Sequence, residues 1–234
     1  MRSATTPLFL YDIDGTLLLT SGSGYRSFLR ACNEVLGIDG PLHNIHMAGK
    51  LDRVIFHEIV EMFRPDLTGS DNTPYWERFR SLYVEYLTEE SLNPAGWRLL
   101  PGVRRLVEYT AGLGRLALLT GNISEGARLK VGTLGLGGFF PTGGFGEEYM
   151  TRARLAEVAY ERACEHYRTR FQPSATYVLG DTVNDITAAR AIGARVIAVA
   201  TGTVTLPELA QAGPDLLVED FETGEERIRS FLSS

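Results

Sequence analysis

Beyond Trp97 the chain alternates short apolar runs with helix-patterned segments, and each run ends in a polar residue. Apolar runs at 115–119, 176–179, 195–200 and 216–218 are separated by segments with helical spacing at 123–134, 152–168 and 183–192. A helix over 102–112 precedes the first of them, a short helix follows Pro207, and a helix closes the chain. The glycine-rich stretch from Gly137 to Gly146 reads as a short strand with turns. Strands joined through helices are parallel, and their crossovers are right-handed. The expected class is α/β, with the polar residues of the strand ends gathered on one rim, where open parallel sheets place their chemistry.

A first strand is expected at Leu8-Phe9-Leu10-Tyr11, which runs into Asp12-Ile13-Asp14-Gly15-Thr16. Two carboxylates two residues apart repel, and a hard divalent cation such as Mg²⁺ offsets that repulsion with oxygen ligands. A carboxylate at a strand end is also a possible nucleophile, one that forms an aspartyl-phosphate. The plain alternative is an Asp-Gly turn. Between this strand and Trp97, residues 18–92 read as helical throughout. Ser21 to Gly24 is a flexible hinge, and three amphipathic helices follow, the second opened by Gly49-Lys50-Leu51-Asp52 and the third carrying Trp76, Tyr83 and Tyr86. An all-helical block between two sheet strands is expected to form a small domain of its own, residues 18–92, beside a core of 1–17 and 93–234.

The bulk properties narrow the function. A net charge of −6 over 234 residues disfavours nucleic acid or anionic membrane as the main partner. Cys32 and Cys164 stand singly within helices, as reduced thiols do in a cytoplasmic protein. The four-residue apolar run before Asp12 makes neither a signal peptide nor a membrane span. A monomer or homodimer acting on a small molecule is expected.

Two further stretches carry candidate chemistry. Thr120-Gly121-Asn122 sets a hydroxyl and backbone amides at a helix start, which makes either an anion pocket or an ordinary N-cap. In Gly180-Asp181-Thr182-Val183-Asn184-Asp185, two acids lie one helical turn apart on one side, as a metal site or as acids favoured by the helix dipole.

Taken in order, these motifs resemble those of the haloacid dehalogenase superfamily, and the resemblance spans essentially the whole chain. It implies a Rossmann-like three-layer parallel sheet with an inserted α-helical cap, in a branch similar to phosphoglycolate phosphatases. The implied activity is Mg²⁺-dependent hydrolysis of a small phosphorylated metabolite, phosphoglycolate being a common target. Asp12 is then the nucleophile and Asp14 the general acid and base. Thr120, Gly121 and Asn122 hold the phosphoryl group. Asp12, the Asp14 carbonyl and Asp181 hold the metal, with Asp185 in an outer position.

The chain departs from the family at the lysine expected ahead of the last motif. Lys50 lies in the cap and Lys130 two turns into the helix after Thr120, so the expected substitute is Arg152, with Arg154 as fallback. Lys50 is assigned to the remote end of the substrate, against the alternative of a surface helix turn. His43 and His46 read as loop or core residues. Dehalogenases lack the acid at position 14, so Asp14 favours phosphate chemistry. A β-phosphoglucomutase-like mutase shares both aspartates and is the enzymatic alternative. A receiver domain lacks the insert, and an inactive binding protein is expected to have lost one of the four acids.

Overall fold

The structure, a computed structural model, describes residues 6–42, 45–68 and 71–233; His43 lies outside them. The chain runs β1 (Leu8–Tyr11), β2 (Leu18–Leu19), α1 (Ser23–Leu36), α2 (Asp52–Phe63), α3 (Thr73–Leu92), β3 (Arg98–Leu99), α4 (Val103–Leu113), β4 (Arg115–Leu119) and α5 (Ser124–Thr133). It continues through β5 (Gly143–Gly144), α6 (Arg152–Tyr167), β6 (Thr176–Gly180), α7 (Val183–Ala191), β7 (Arg195–Val199), α8 (Leu206–Gln211), β8 (Leu216–Val218) and α9 (Glu225–Leu232).

Six strands form one parallel sheet in the order β5-β4-β1-β6-β7-β8. Without the short β2 and β3, this is the doubly wound order of Rossmann folds. β1 is central and buried at all four residues, so it reads as an unbroken apolar run. Its side chains alternate between faces. Phe9 and Tyr11 join a core with α4, α5 and α9, while Leu8 and Leu10 join another with α6 and α7. The order reverses beside β1, between β4 on one side and β6 on the other, and ligands bind at such a switch point.

The helical cap inserted after β1 has its own aromatic core. Phe79 of α3 is fully buried, with ring centroids 4.6 Å from Phe28, 4.9 Å from Phe56 and 5.7 Å from Tyr83. Two sequence expectations need correction here. Residues 18–92 are not wholly helical, because Leu18–Leu19 pairs antiparallel with Arg98–Leu99 and ties together the two chain crossings into the cap. The hinge is also shorter than four residues. Ser21 (φ 50°) and Gly22 (φ 80°) make the left-handed turn, whereas Ser23 already opens α1, donating to Glu90 at 2.7 Å and accepting from Trp97 Nε1 at 3.0 Å. No helix among the described residues is long and apolar enough to cross a membrane.

If residues 18–92 form a domain apart from 1–17 and 93–234, Phe79→Ala should act locally. The cavity should destabilise the cap by about 3–5 kcal/mol. Hydrogen exchange is expected to lose protection in α1–α3 while the central strands keep theirs; equal loss in β1 and β6 would mean that the two regions unfold as one.

Candidate active site

The site begins where β1 stops. The Asp12 N–H still donates to the Leu179 carbonyl of β6 at 3.0 Å, so Asp12 is delivered beside Asp181, the residue after β6. Gly15 then reverses the chain at φ +84°, where a Cβ would sit 2.5 Å from an Asp181 carboxylate oxygen. The Thr16 hydroxyl donates to the other Asp181 oxygen at 2.9 Å. α7 starts with a capping box, in which the Thr182 N–H and hydroxyl both donate to Asp185 Oδ2, at 3.0 and 2.7 Å. Asp12, Asp181 and Asp185, all buried, thereby bring one carboxylate oxygen each within 4.8 Å of one another.

Arg152 is the cation set against them. It opens α6 behind Thr151, whose hydroxyl caps the helix by accepting from the Arg154 N–H at 3.3 Å. The Arg152 guanidinium donates to Asp185 Oδ1 and lies 3.5 Å from Asp12 Oδ1. Arg154 points to solvent and pairs with Glu157 at 2.7 Å. Burial, reinforced by Asp185, raises the Asp12 carboxyl well above the ordinary range, and Arg152 only partly opposes this. Asp181 is pushed up to about 7 by burial and then by Asp185. A group of buried, oxygen-only donors with too little positive charge suits a hard divalent cation. Both Asp185 oxygens are taken up by Arg152 and Thr182, so Asp12 and Asp181 are the less committed donors.

The second half of the site hangs from β4. Thr120 is fully buried, and its hydroxyl oxygen accepts from the Asn122 amide nitrogens, backbone at 3.3 Å and side chain at 2.8 Å. Neither residue caps α5. The Ile123 N–H donates to Asp52 Oδ2 at 2.9 Å and the Ser124 N–H to Glu147 at 2.7 Å. Distant carboxylates thus satisfy the helix start, and Thr120 and Asn122 line the cavity. Lys130, two turns into the helix, is not expected in the site from sequence spacing alone. In the fold its Nζ donates to both oxygens of Asp14, at 2.9 and 2.7 Å, and to Asn122 Oδ1 at 2.6 Å. Asp14 therefore turns its side chain toward Lys130 and is not one of the three clustered carboxylates.

The cap closes the site through the start of α2. The Asp52 N–H donates to the Gly121 carbonyl at 2.8 Å, the Arg53 N–H to Gly146 at 3.1 Å, and Asn184 to the Gly49 carbonyl at 2.8 Å. Gly121 is required here, because any Cβ would collide with the Lys50 carbonyl. Asp52 is buried rather than a surface helix acid, and burial pushes it up to about 7 against the pull of Lys130. Lys50 is half-buried and held by Glu58, at 2.6 and 2.8 Å. His46 is exposed and forms no part of the site. A cavity of about 480 Å³ lies between cap and core, lined by Asp12, Asp14, Thr120, Lys130 and Arg152 below and by Tyr25, Lys50 and Tyr83 above.

Residues 6–193 match the family model described as haloacid dehalogenase-like hydrolase. The chain belongs to that family. Among curated relatives of this haloacid dehalogenase-like hydrolase is a phosphoglycolate phosphatase of Agrobacterium fabrum, 26% identical over 222 residues, or 92% of this chain and 89% of the relative. Among solved structures, a predicted phosphoglycolate phosphatase from Haemophilus somnus superposes with a TM-score of 0.70 at 20% identity, covering 98% of this chain and all of that one. CbbY from Rhodobacter sphaeroides, solved with phosphate, gives 0.66 at 21% identity, covering 94% and 96% of the two chains. These likenesses establish the shared fold of core and cap.

The carboxylate cluster makes the metal-free protein sensitive to pH. Asp181 rises from an ordinary 3.8 to about 7 in the fold, so the folded state binds more protons than the unfolded chain between those values. Stability should therefore fall as pH rises from about 4 to about 7 and level off above it, and Asp52 adds to the fall. In EDTA the melting temperature is expected to drop from roughly pH 5 to roughly pH 7 and then level off, with Mg²⁺ restoring much of it at the higher pH. A metal-free melting temperature that climbs over this range, with no response to Mg²⁺, would contradict the cluster as a cation site.

Proposed function

We propose that this hydrolase is a Mg²⁺-dependent phosphatase of small phosphorylated metabolites, with phosphoglycolate the first substrate to try. The observation that carries the reading is the meeting of Asp12, Asp181 and Asp185 with Arg152 at the floor of the cavity between cap and core. The curated relative at 26% identity supports the choice of phosphoglycolate.

In this reading Asp12 attacks phosphorus. The bond from phosphorus to the leaving oxygen breaks, and Asp14 gives its proton to that oxygen, so an alcohol departs. Water then attacks the aspartyl-phosphate and loses a proton to Asp14, which releases inorganic phosphate and frees Asp12. The Thr120 hydroxyl and the Gly121 amide hold phosphoryl oxygens, and Asn122 extends that rim. Arg152, a planar fork that stays charged, bridges Asp12 and the transferring group. Lys50 faces the far end of the substrate from the cap. Asp12, the Asp14 carbonyl and Asp181, with Asp185 as an outer partner, would hold Mg²⁺, which when bound would supply charge neutralisation for the transferred group.

Asp12→Asn should abolish phosphate release from phosphoglycolate by several orders of magnitude while the protein melts near the wild-type temperature. Substantial residual turnover would remove Asp12 as nucleophile. Release of inorganic phosphate, with no need for a bisphosphate activator, separates this reading from a mutase.

Arg152→Ala should lower kcat by ~10²–10³, the range for loss of one stabilising donor to a transition-state charge. Arg152→Lys should recover part of that loss and Arg154→Ala should change little, given its solvent-facing pair with Glu157. The reverse ranking of the two alanine variants would move the role to Arg154.

A further inference from the structure

We propose that Lys130 is the positioning residue for Asp14, fixing its carboxyl group for proton transfer to the leaving oxygen. The proposal rests on the reading of Asp14 as the proton donor and adds to it a residue that the motif pattern does not contain.

Lys130 lies on the inward face of α5, with Gly126, Ala127 and Val131. Its side chain is 4% exposed, whereas that of Asp14 is 44% exposed and has room to turn. The ammonium group has three donors, and three acceptor atoms surround it: Asp14 Oδ1 at 2.9 Å, Asp14 Oδ2 at 2.7 Å and Asn122 Oδ1 at 2.6 Å. Asn122 closes the ring by donating to Asp14 Oδ2 at 2.7 Å, and is itself fixed by its bond to Thr120 Oγ1. A half-exposed aspartate is therefore held at both oxygens by buried partners. Oδ2 receives two donors and Oδ1 only one, which leaves Oδ1 as the oxygen with capacity for the transferred proton. The cap covers the same lysine, since a Cβ at Gly24 of α1 would stand 3.2 Å from its Nζ.

Mere charge balance and positioning of Asp14 predict different dependences on the leaving group. Phenoxide needs a proton as it departs, whereas 2,4-dinitrophenoxide leaves without one. Misplacing an acid costs rate only where the acid is used, by ~10² for a shift of about 1 Å. The test compares kcat/KM for phenyl phosphate and 2,4-dinitrophenyl phosphate in the Mg²⁺-loaded wild type, Lys130→Met, Lys130→Gln and Asp14→Asn. The ratio of the two substrates within one variant is unaffected by any fraction that fails to fold.

Lys130→Met should lose ~10² on phenyl phosphate and less than about threefold on the dinitrophenyl ester. Lys130→Gln, which keeps an amide NH₂ but no charge, should fall between it and wild type, and Asp14→Asn should show the largest selectivity. Equal losses on both esters in the Lys130 variants, beside a selective Asp14→Asn, would overturn the positioning role and leave Asp14 as the acid. An unselective Asp14→Asn would remove the acid, and the role of Lys130 with it.

Discussion

Crowding of carboxylates at the sheet's switch point is the constraint on which the rest of this structure depends. Burying even one unpaired carboxylate costs several kcal/mol. Here Asp12, Asp181 and Asp185 are buried within reach of one another, with Asp14 close by. Two cations divide the task. Arg152 serves Asp12 and Asp185, and Lys130 serves Asp14, so the acids separate into a crowded trio and a clamped singleton. The raised Asp12 and Asp181 carboxyls indicate that the trio still lacks positive charge. A divalent cation bound by the trio would offset that deficit.

Cap and core meet through backbone as much as through side chains. The start of α2 donates to Gly121 and Gly146 and takes a bond from Asn184 at Gly49, so the strand-end loops bind the cap directly. Asp52 ties α2 to α5, since its carboxylate accepts from the N–H of Ile123, the residue before α5. The loops that carry Thr120 and Thr182 line the cavity and also carry the docking contacts.

Much of this was legible in the sequence. The buried strands are apolar runs, and a run that ends in Asp12 or Gly180-Asp181 announces both its boundary and its chemistry. Parallel pairing places those ends on one rim, while the adjacency of Asp12 and Asp181 there depends on the strand order, which sets β1 beside β6. What stayed hidden depends on orientation across elements. Lys130 was judged by its distance along the chain, while the rotation of α5 decides where it points. Its place among Ala127 and Val131 on an inward face was the available signal. Thr120 and Asn122 looked equally suited to capping because the real partners, Asp52 and Glu147, are 71 and 23 residues away from the amides they accept. The ribbon of β2 and β3 has two residues per strand, too short for any periodicity to register.

The central claim is that Asp12 becomes covalently phosphorylated. It is tested most directly by mixing the Mg²⁺-loaded protein with phosphoglycolate, quenching during turnover, reducing with borohydride and sequencing the peptides by mass spectrometry. An acyl phosphate on Asp12 is reduced to homoserine, so the account predicts that this conversion appears at residue 12, only with substrate present, and at neither Asp14 nor Asp181. Robust phosphate release without any modified Asp12, or modification at another carboxylate, would contradict it.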